Sequence, residues 1–357
     1  MKALVLSGGN GLRLRPISHT LPKQLIPVAN KPVLHHGLEA LAAAGITEVG
    51  IIVGGRAAEI RRSVGDGSSF GFRVTYIPQD EPLGLAHCVL IARGFLGDDD
   101  VLMYLGDNVV PGGVAQLVDR FHAERPAAML LVGPVPDPTE FGVAEVDGAG
   151  RVLRLEEKSP TPRSDLAMIG AYAFTPAIHE AVRSIEPSWR GELEITHAIQ
   201  WLVERGDDVR AHVFAGDWWD TGRVEDLLDC NRRMLLDLRT DVRGKVDAES
   251  EIAGPVHLAE GAQVLRSRIV GPVAIGANTV IADCYVGPFT SIGDDCVLSD
   301  AGIEYSIVLE RSSLCSVRHL RDSLIGRGAE VRPTRAVGGA HQLVLGDDSR
   351  VLIEAYS

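Results

Sequence analysis

The chain is predicted to fold as two structures in tandem: an α/β domain on a mostly parallel sheet over residues 1–238, and a parallel β-helix over residues 252–335. Three observations predict this. Up to about residue 238, short Val/Ile/Leu-rich runs alternate with amphipathic stretches, the mark of βαβ units. From residue 252, aliphatic residues recur at intervals of six, sometimes five, which no helix can use. A charge-rich stretch at 239–251 separates the two textures and is expected to be a linker, and residues 336–357 are expected to be a C-terminal tail. The length, 357 residues, is ample for two domains.

The strands expected in the first part are KALVL, VGIIVG, RVTYIP, DVLMYLGD and AAMLLVGPV, each followed by a Gly, Pro or Asp signal. Helices are expected over 32–44, closed by Gly45, and over 56–64, 84–94 and 113–124. Such a Rossmann-like order places helices on both sheet faces and ligands at the carboxyl ends of the strands. After residue 140 the order loosens. A hairpin, GVAEVDGAGRVLRLEEK, turns at Asp147-Gly148, and a helix over 192–205 leads to VRAHVF and WWDTG. In the second part, Ile252, Leu258, Val264, Ile269, Ile275, Ile281, Val286, Ile292, Leu298 and Ile303 each supply one inward residue per unit, with Gly276, Gly287 and Gly293 close behind several of them. The pattern resembles the hexapeptide repeats of left-handed β-helices, whose coils stack to bury a continuous core.

A formal charge of −13 argues against nonspecific nucleic-acid binding. No apolar run reaches the roughly 18 residues of a membrane span, and the opening residues lack the pattern of a signal peptide, so no membrane partner and a cytoplasmic location are expected. Cys88, Cys230, Cys284, Cys296 and Cys315 form no CxxC pair and read as reduced thiols. Against this acidic background the first 38 residues hold Lys2, Arg13, Arg15, Lys23 and Lys31 and no Asp or Glu. The glycines of Gly8-Gly9-Asn10-Gly11 sit where a strand must turn and let backbone N–H groups approach an anion. The segment matches neither the P-loop nor the GxGxxG dinucleotide pattern. It reads as a phosphate-binding loop of another kind.

The sequence GGNGLRLRP followed by PKQLIPVANKP resembles the signature of the sugar-1-phosphate nucleotidylyltransferases. Downstream, IPQDEPLGLAHC, YLGDN, EFGVAEV, LEEKS, GELEIT and WWDTG resemble the glucose-1-phosphate thymidylyltransferases, in the long form that carries a hexapeptide-repeat domain. The resemblance implies a nucleotidyltransferase domain in which Gly8 and Gly11 hold the nucleotide, and Arg13 and Lys23 neutralise charge around the α-phosphorus and departing pyrophosphate. Gln79 and Gly84 would contact the pyrimidine base, an amide being able to meet both a carbonyl and an N–H. Asp107 and Asp220, each at a strand end, would share Mg2+, which takes one or two carboxylates beside phosphate oxygens and water. Asp107 also counts among the nucleotide ligands. For the sugar phosphate the implied residues are Glu157 on the hydroxyls, Lys158 on the phosphate, Gly142 under the ring, and Asn108 and Tyr172. Arg13, Lys23 and Lys158 would be catalytic, and Trp218 and Trp219 could wall the pocket or pack in the core.

The substrates so implied are dTTP and glucose 1-phosphate. The attacking phosphate oxygen is already ionised, so no general base is required and no Ser/His/Asp or Cys/His set is evident. Three positions depart from the family pattern: Leu12 for Thr or Ser, Phe141 for a frequent Tyr, and His197 where Asp usually follows GELEIT. These departures bear on sugar specificity. Other nucleotides, including UTP, other sugar phosphates, a bifunctional acetyltransferase and a noncatalytic regulatory subunit stay open as alternatives. The β-helix over 252–335 is expected to make a homo-oligomer, first of all a trimer.

Overall fold

The computed structural model describes residues 1–9 and 11–333, and the chain packs into two compact units. Among the described residues, one holds 1–9 and Val33–Asp220, the other Gly11–Pro32 and 221–333. The expected end of the β-helix at 334–335, the tail 336–357 and Asn10 lie outside the described residues.

In chain order the first strands are β1 (Lys2–Ser7), β2 (Pro27–Val28), β3 (Lys31–Pro32), β4 (Glu48–Val53), β5 (Arg73–Pro78), β6 (Val101–Leu105) and β7 (Asn108–Val109). They are followed by β8 (Ala128–Pro134), β9 (Gly142–Val146), β10 (Val152–Glu157), β11 (Leu166–Phe174), β12 (Val209–Val213) and β13 (Trp219–Asp220). The helices are α1 (Val33–Ala43), α2 (Ala57–Val64), α3 (Leu85–Ile91), α4 (Arg93–Leu96), α5 (Gly113–Glu124), α6 (Ile178–Ala181), α7 (Ile195–Arg205) and α8 (Val224–Leu236). The helix expected over 84–94 is broken at Ala92, which joins α3 to α4.

Among the described residues the first unit is built on a nine-stranded mixed sheet, with the run β10-β9-β11-β6-β1-β4-β5 and β8 pairing β11 and β12. β6, β1, β4 and β5 are parallel, as the βαβ alternation predicts. The hairpin β9–β10 and strand β11 enter antiparallel, as does β8 on β11, while β12 pairs β8 in parallel, so the sheet is mixed. Helices lay apolar stripes on it: α7 buries Ile195, Ala198, Ile199 and Leu202, the i, i+3, i+4, i+7 spacing of one helical face.

In the second unit, three parallel sheets run along residues 241–331. Registers such as Val256↔Val273 and Ile275↔Ile292 advance 17 residues per coil, three sides of five or six residues each. This is the left-handed β-helix expected from the repeat. Leu258, Val264, Ile269, Ile275, Ile281, Val286, Ile292, Leu298 and Ile303 are buried in one core, and Ile252 packs against it. Corners are turned by residues in the left-handed region, among them Asn278, Asp283, Asp295, Asp300 and Asp322, whose short polar side chains tolerate it best after glycine. The charged stretch 239–251, expected as a linker, already contributes to the stack. Asp241–Val242 and Lys245–Val246 pair with the next coil, and Val246 packs against the core. Its charges belong to outward positions. No helix of the described residues is long and apolar enough to cross a membrane.

Candidate active site

The site is assembled at one edge of the first unit's sheet. Strands β1, β5 and β6 are parallel, so Gly8, Gln79 and Asp107, the residues just past their ends, emerge at the same carboxyl edge. β11 runs opposite to β6, with Ala171 beside Tyr104, so its first residues lead past the carboxyl end of β6, where Ala167 pairs with Val143, next to Gly142. The hairpin register sets Gly142 opposite Glu157. Topology thus delivers residues from five strands to one edge.

Asp107 is held there by tight packing. Gly106 donates its N–H to the Leu6 carbonyl at 2.9 Å, and a Cβ on Gly106 would come 2.9 Å from the same oxygen. Beyond it, β7 pairs antiparallel with β13, with Asp220 opposite Asn108 and Trp219 opposite Val109. Two aspartates distant in sequence are brought to neighbouring positions by this two-residue ribbon. Asp107 is buried and Asp220 half-buried. Both act on the Tyr172 phenol, whose pKa is raised first by burial, then by Glu157, and further by Asp220 and Asp107. Asn108 is buried, its carbonyl accepting from the Tyr104 hydroxyl at 2.5 Å, and Gly170, at φ +47, leaves room for its amide. Two carboxylates at one edge are a hard-oxygen donor set that fits a divalent ion of the magnesium kind. Among the described residues no group of three or more His, Cys, Asp or Glu gathers into a closed cage.

Glu157 lies beside this pair. Its Oε2 accepts from Thr196 Oγ1 at 3.0 Å and its Oε1 is 3.7 Å from Arg190 Nη1. Burial raises its pKa, the Glu194 carboxylate adds to the rise, and Thr196, Lys158 and Arg190 offset part of it. A Cβ on Gly142 would come 2.7 Å from Thr196 Cγ2 and 3.0 Å from Glu157 Oε2, so a side chain there would push Thr196 or this carboxylate aside. Lys158 follows at φ 44 with its N–H on the Phe141 carbonyl at 3.0 Å. Phe141 meets Trp218 edge-on at 5.8 Å. His197, the third departure, is exposed on α7. Glu194 is buried and takes hydrogen bonds from Ser188 Oγ at 2.9 Å and Arg190 Nη1 at 3.3 Å. The supporting roles of Arg190, Glu194 and Thr196 were not legible in sequence, although GELEIT pointed to the segment.

At the far side of the edge, Gln79 donates from Nε2 to His87 Nδ1 at 3.2 Å and to Cys88 Sγ at 3.3 Å. Its Oε1 is thereby turned toward Gly8, where a Cβ would approach it to 2.9 Å. Cys88 is a neutral thiol, its pKa pushed up to about 12 by burial. Gly84, at φ +104, passes so close to the Leu193 backbone that a Cβ would lie 2.7 Å from the Leu193 nitrogen.

Gly11, Arg13 and Lys23 belong to the second unit. Gly11, at φ +63, begins a 3-10 turn, Leu12–Leu14, and a Cβ on it would meet Lys23 Cβ at 3.0 Å. Ser18 Oγ donates to the Gly11 carbonyl at 2.7 Å. Leu12 is 61% exposed and Arg13 is exposed, while Lys23 is half-buried. Gln24, also missed in sequence, is 1% exposed, and its Oε1 has no hydrogen-bond partner among the described residues. A groove of about 990 Å³ on the β-helix is lined by Arg266, Arg268, Arg318 and Arg321. Each of these is already paired with a carboxylate, at 2.7 to 3.3 Å, so the groove lacks the unspent charge a phosphorylated substrate needs.

Residues 2–236 match the family model described as nucleotidyl transferase. Over 356 residues the chain is 56% identical to a glucose-1-phosphate thymidylyltransferase of Streptomyces antibioticus, covering 99% of this chain and 100% of that one. It is 57% identical over 355 residues to a protein of the same name from Streptomyces griseus, again covering 99% and 100%. Among solved structures, a Bacillus anthracis chain described as a glucose-1-phosphate thymidylyltransferase in complex with a sucrose is similar at TM-score 0.62 and 32% identity, over 68% of this chain and 97% of that one. With the motifs of the sheet edge and these likenesses together, the chain belongs to the nucleotidyl transferase family.

Proposed function

We propose that this chain condenses dTTP with glucose 1-phosphate, giving dTDP-glucose and pyrophosphate for deoxysugar nucleotide synthesis. The observation that carries the reading is the β7–β13 register, which sets Asp220 opposite Asn108, next in the chain to Asp107, at the edge where Gly8, Gln79 and Glu157 also emerge. Asp107 and Asp220 would hold Mg2+. When bound, that ion supplies charge neutralisation to phosphate oxygens.

The chain's own residues do the rest. Gly8 and Gly11 offer backbone to the nucleotide, and Arg13 and Lys23 neutralise the triphosphate, which lowers the cost of bringing two anions together. Gln79, with Nε2 engaged by His87 and Cys88, presents Oε1 to the pyrimidine N3–H, and Gly84 lets the chain pass close to the base. A thymine methyl contributes only about 1–3 kcal/mol of discrimination, so some use of UTP is expected. Glu157 accepts sugar hydroxyls over Gly142, Lys158 meets the sugar phosphate, and Asn108 and Tyr172 line the same floor. The phosphate oxygen of the sugar attacks the α-phosphorus in line, its ionised state making a general base unnecessary. Residues 1–238 carry this chemistry. Residues 252–335 serve assembly into a homo-oligomer, a trimer by the usual packing of such helices, and the protein works in the cytoplasm.

Incubation with dTTP, glucose 1-phosphate and MgCl2, followed by anion-exchange chromatography and phosphorus NMR, tests the proposal. Equimolar dTDP-glucose and pyrophosphate are expected. Hydrolysis of dTTP without a sugar nucleotide, or no turnover, would refute it.

A further inference from the structure

The basic loop, residues 11–32, is not held by its own contacts alone. β2 and β3 are joined by a two-residue turn whose central residues, Ala29 at φ 50 and Asn30 at φ 60, both lie in the left-handed region. Glycine and asparagine suit such a turn, and alanine does not. Strain of this sort persists only where the surroundings impose it. Here each strained residue is met by a partner far away in sequence. The Ala29 N–H donates to Asn231 Oδ1 at 2.8 Å, and Asn30 Nδ2 donates to the Ile292 carbonyl at 2.7 Å.

Asn231, on α8, is 0% exposed. Besides Ala29, its Oδ1 accepts from Ser291 Oγ at 2.7 Å, and its Nδ2 donates to the Phe289 carbonyl at 3.1 Å. Ser291 is fully buried as well, in the β-helix strand Thr290–Ile292. One buried amide thus joins three segments: the loop's turn, α8 and one coil of the β-helix. A buried polar residue so fully engaged specifies one arrangement, since any slip leaves a donor or acceptor unpaired away from water. Nearer the glycines, Ile17 lies against the β-helix, where a Cβ on Gly326 would be 3.1 Å from its Cδ1. The bond from Ser18 Oγ to Gly11 carries that support to the turn in front of Arg13.

We infer that the β-helix is the seat of the basic loop: the coil at Phe289–Ile292, acting through Asn231 and Asn30, fixes the loop in the conformation that presents Arg13 and Lys23, so that Asn231 and Ser291 are positioning residues for the triphosphate. This goes beyond a role in assembly, and it rests on reading Arg13 and Lys23 as triphosphate ligands.

Steady-state kinetics on full-length variants tests it. Asn30→Gly removes the bond to Ile292 while suiting the left-handed backbone, Ser291→Ala removes one bond to Asn231, and Asn231→Ala removes the hub. The KM for dTTP is expected to rise at least fivefold in Asn30→Gly and Ser291→Ala and more in Asn231→Ala, with the KM for glucose 1-phosphate changed less than twofold. A purely structural role would lower the active fraction and leave both KM values alone. Should Asn231→Ala fail to fold, the two milder variants decide. Arg13→Ala is the control. If it raises the KM for dTTP while Asn30→Gly and Ser291→Ala match the wild type, the inference is overturned and the loop's role stands. If Arg13→Ala leaves that KM unchanged, the loop's role itself falls.

Discussion

Glu157 is placed against its own comfort. Burial and the neighbouring Glu194 hold its pKa above the ordinary glutamate value of 4.5, so the fold favours its protonated form. A raised folded-state pKa contributes stability that is present below the unfolded value and lost as pH rises through the folded one. Above that window Glu157 ionised is a burden, kept for the sugar hydroxyls it would accept. Glu157→Gln is therefore expected to raise the melting temperature at pH 8 by about 2 °C, to flatten the decline of stability above pH 4.5, and to raise the KM for glucose 1-phosphate tenfold or more. Calorimetry across pH and initial-rate kinetics check the two sides of this exchange. Gly84 makes a second case. A methyl group there must displace the Leu193 backbone, at a φ of +104 that alanine resists. Gly84→Ala should cost about 3 kcal/mol in urea unfolding. Asp107 in LGDN stands out in sequence because a carboxylate after an apolar run is conspicuous, whereas Glu157 in LEEK is pointed to only by the family resemblance. Arg190, Glu194 and Thr196 were not legible, since their work depends on Glu157, 33 or more positions earlier, and Gln24 declares itself only by being buried with an unpartnered oxygen.

Among the elements, the two-residue ribbon of β7 and β13 matters most, because it sets Asp220 opposite Asn108, the residue after Asp107. Asp107→Asn and Asp220→Asn keep side-chain size and hydrogen-bonding capacity but lose a charge. Each should reduce pyrophosphate release at least 100-fold with unchanged circular dichroism, and wild-type turnover in either would remove the metal assignment. The parallel strands β1, β4, β5 and β6 were readable from their aliphatic runs. β11 was not: Leu166–Phe174 is almost wholly buried, so it shows no alternation, and its Gly170 and three alanines do not look like a strand. That unseen strand is what converts an expected mostly parallel sheet into a mixed one. α8 escaped notice because its apolar residues are interrupted by Asp229, Asn231 and two arginines, and Asn231 faces inward for a reason visible only in three dimensions. Likewise the charges of 239–251 hid Val246, which packs against the β-helix core.

At the scale of the molecule, the repeat was the most legible feature, since every inward position of the β-helix named from sequence is buried in its core or packed against it. What period alone cannot reveal is that Gly11–Pro32, distant in sequence, packs with this unit. Full-length protein is expected to behave as a trimer in light scattering, and a chain ending at Leu238 as a monomer with weakened dTTP binding. A monomeric full-length protein would remove assembly from the β-helix's duties. The proposal as a whole requires the paired aspartates and the basic loop to serve one triphosphate. The most direct measurement is a crystal structure with Mn2+ and a non-hydrolysable dTTP analogue, read by anomalous scattering. Expected is a metal peak bound by Asp107 and Asp220, with Arg13 and Lys23 on the phosphates and Gln79 on the base; a peak elsewhere, or a nucleotide that leaves the aspartates or the loop untouched, would contradict it.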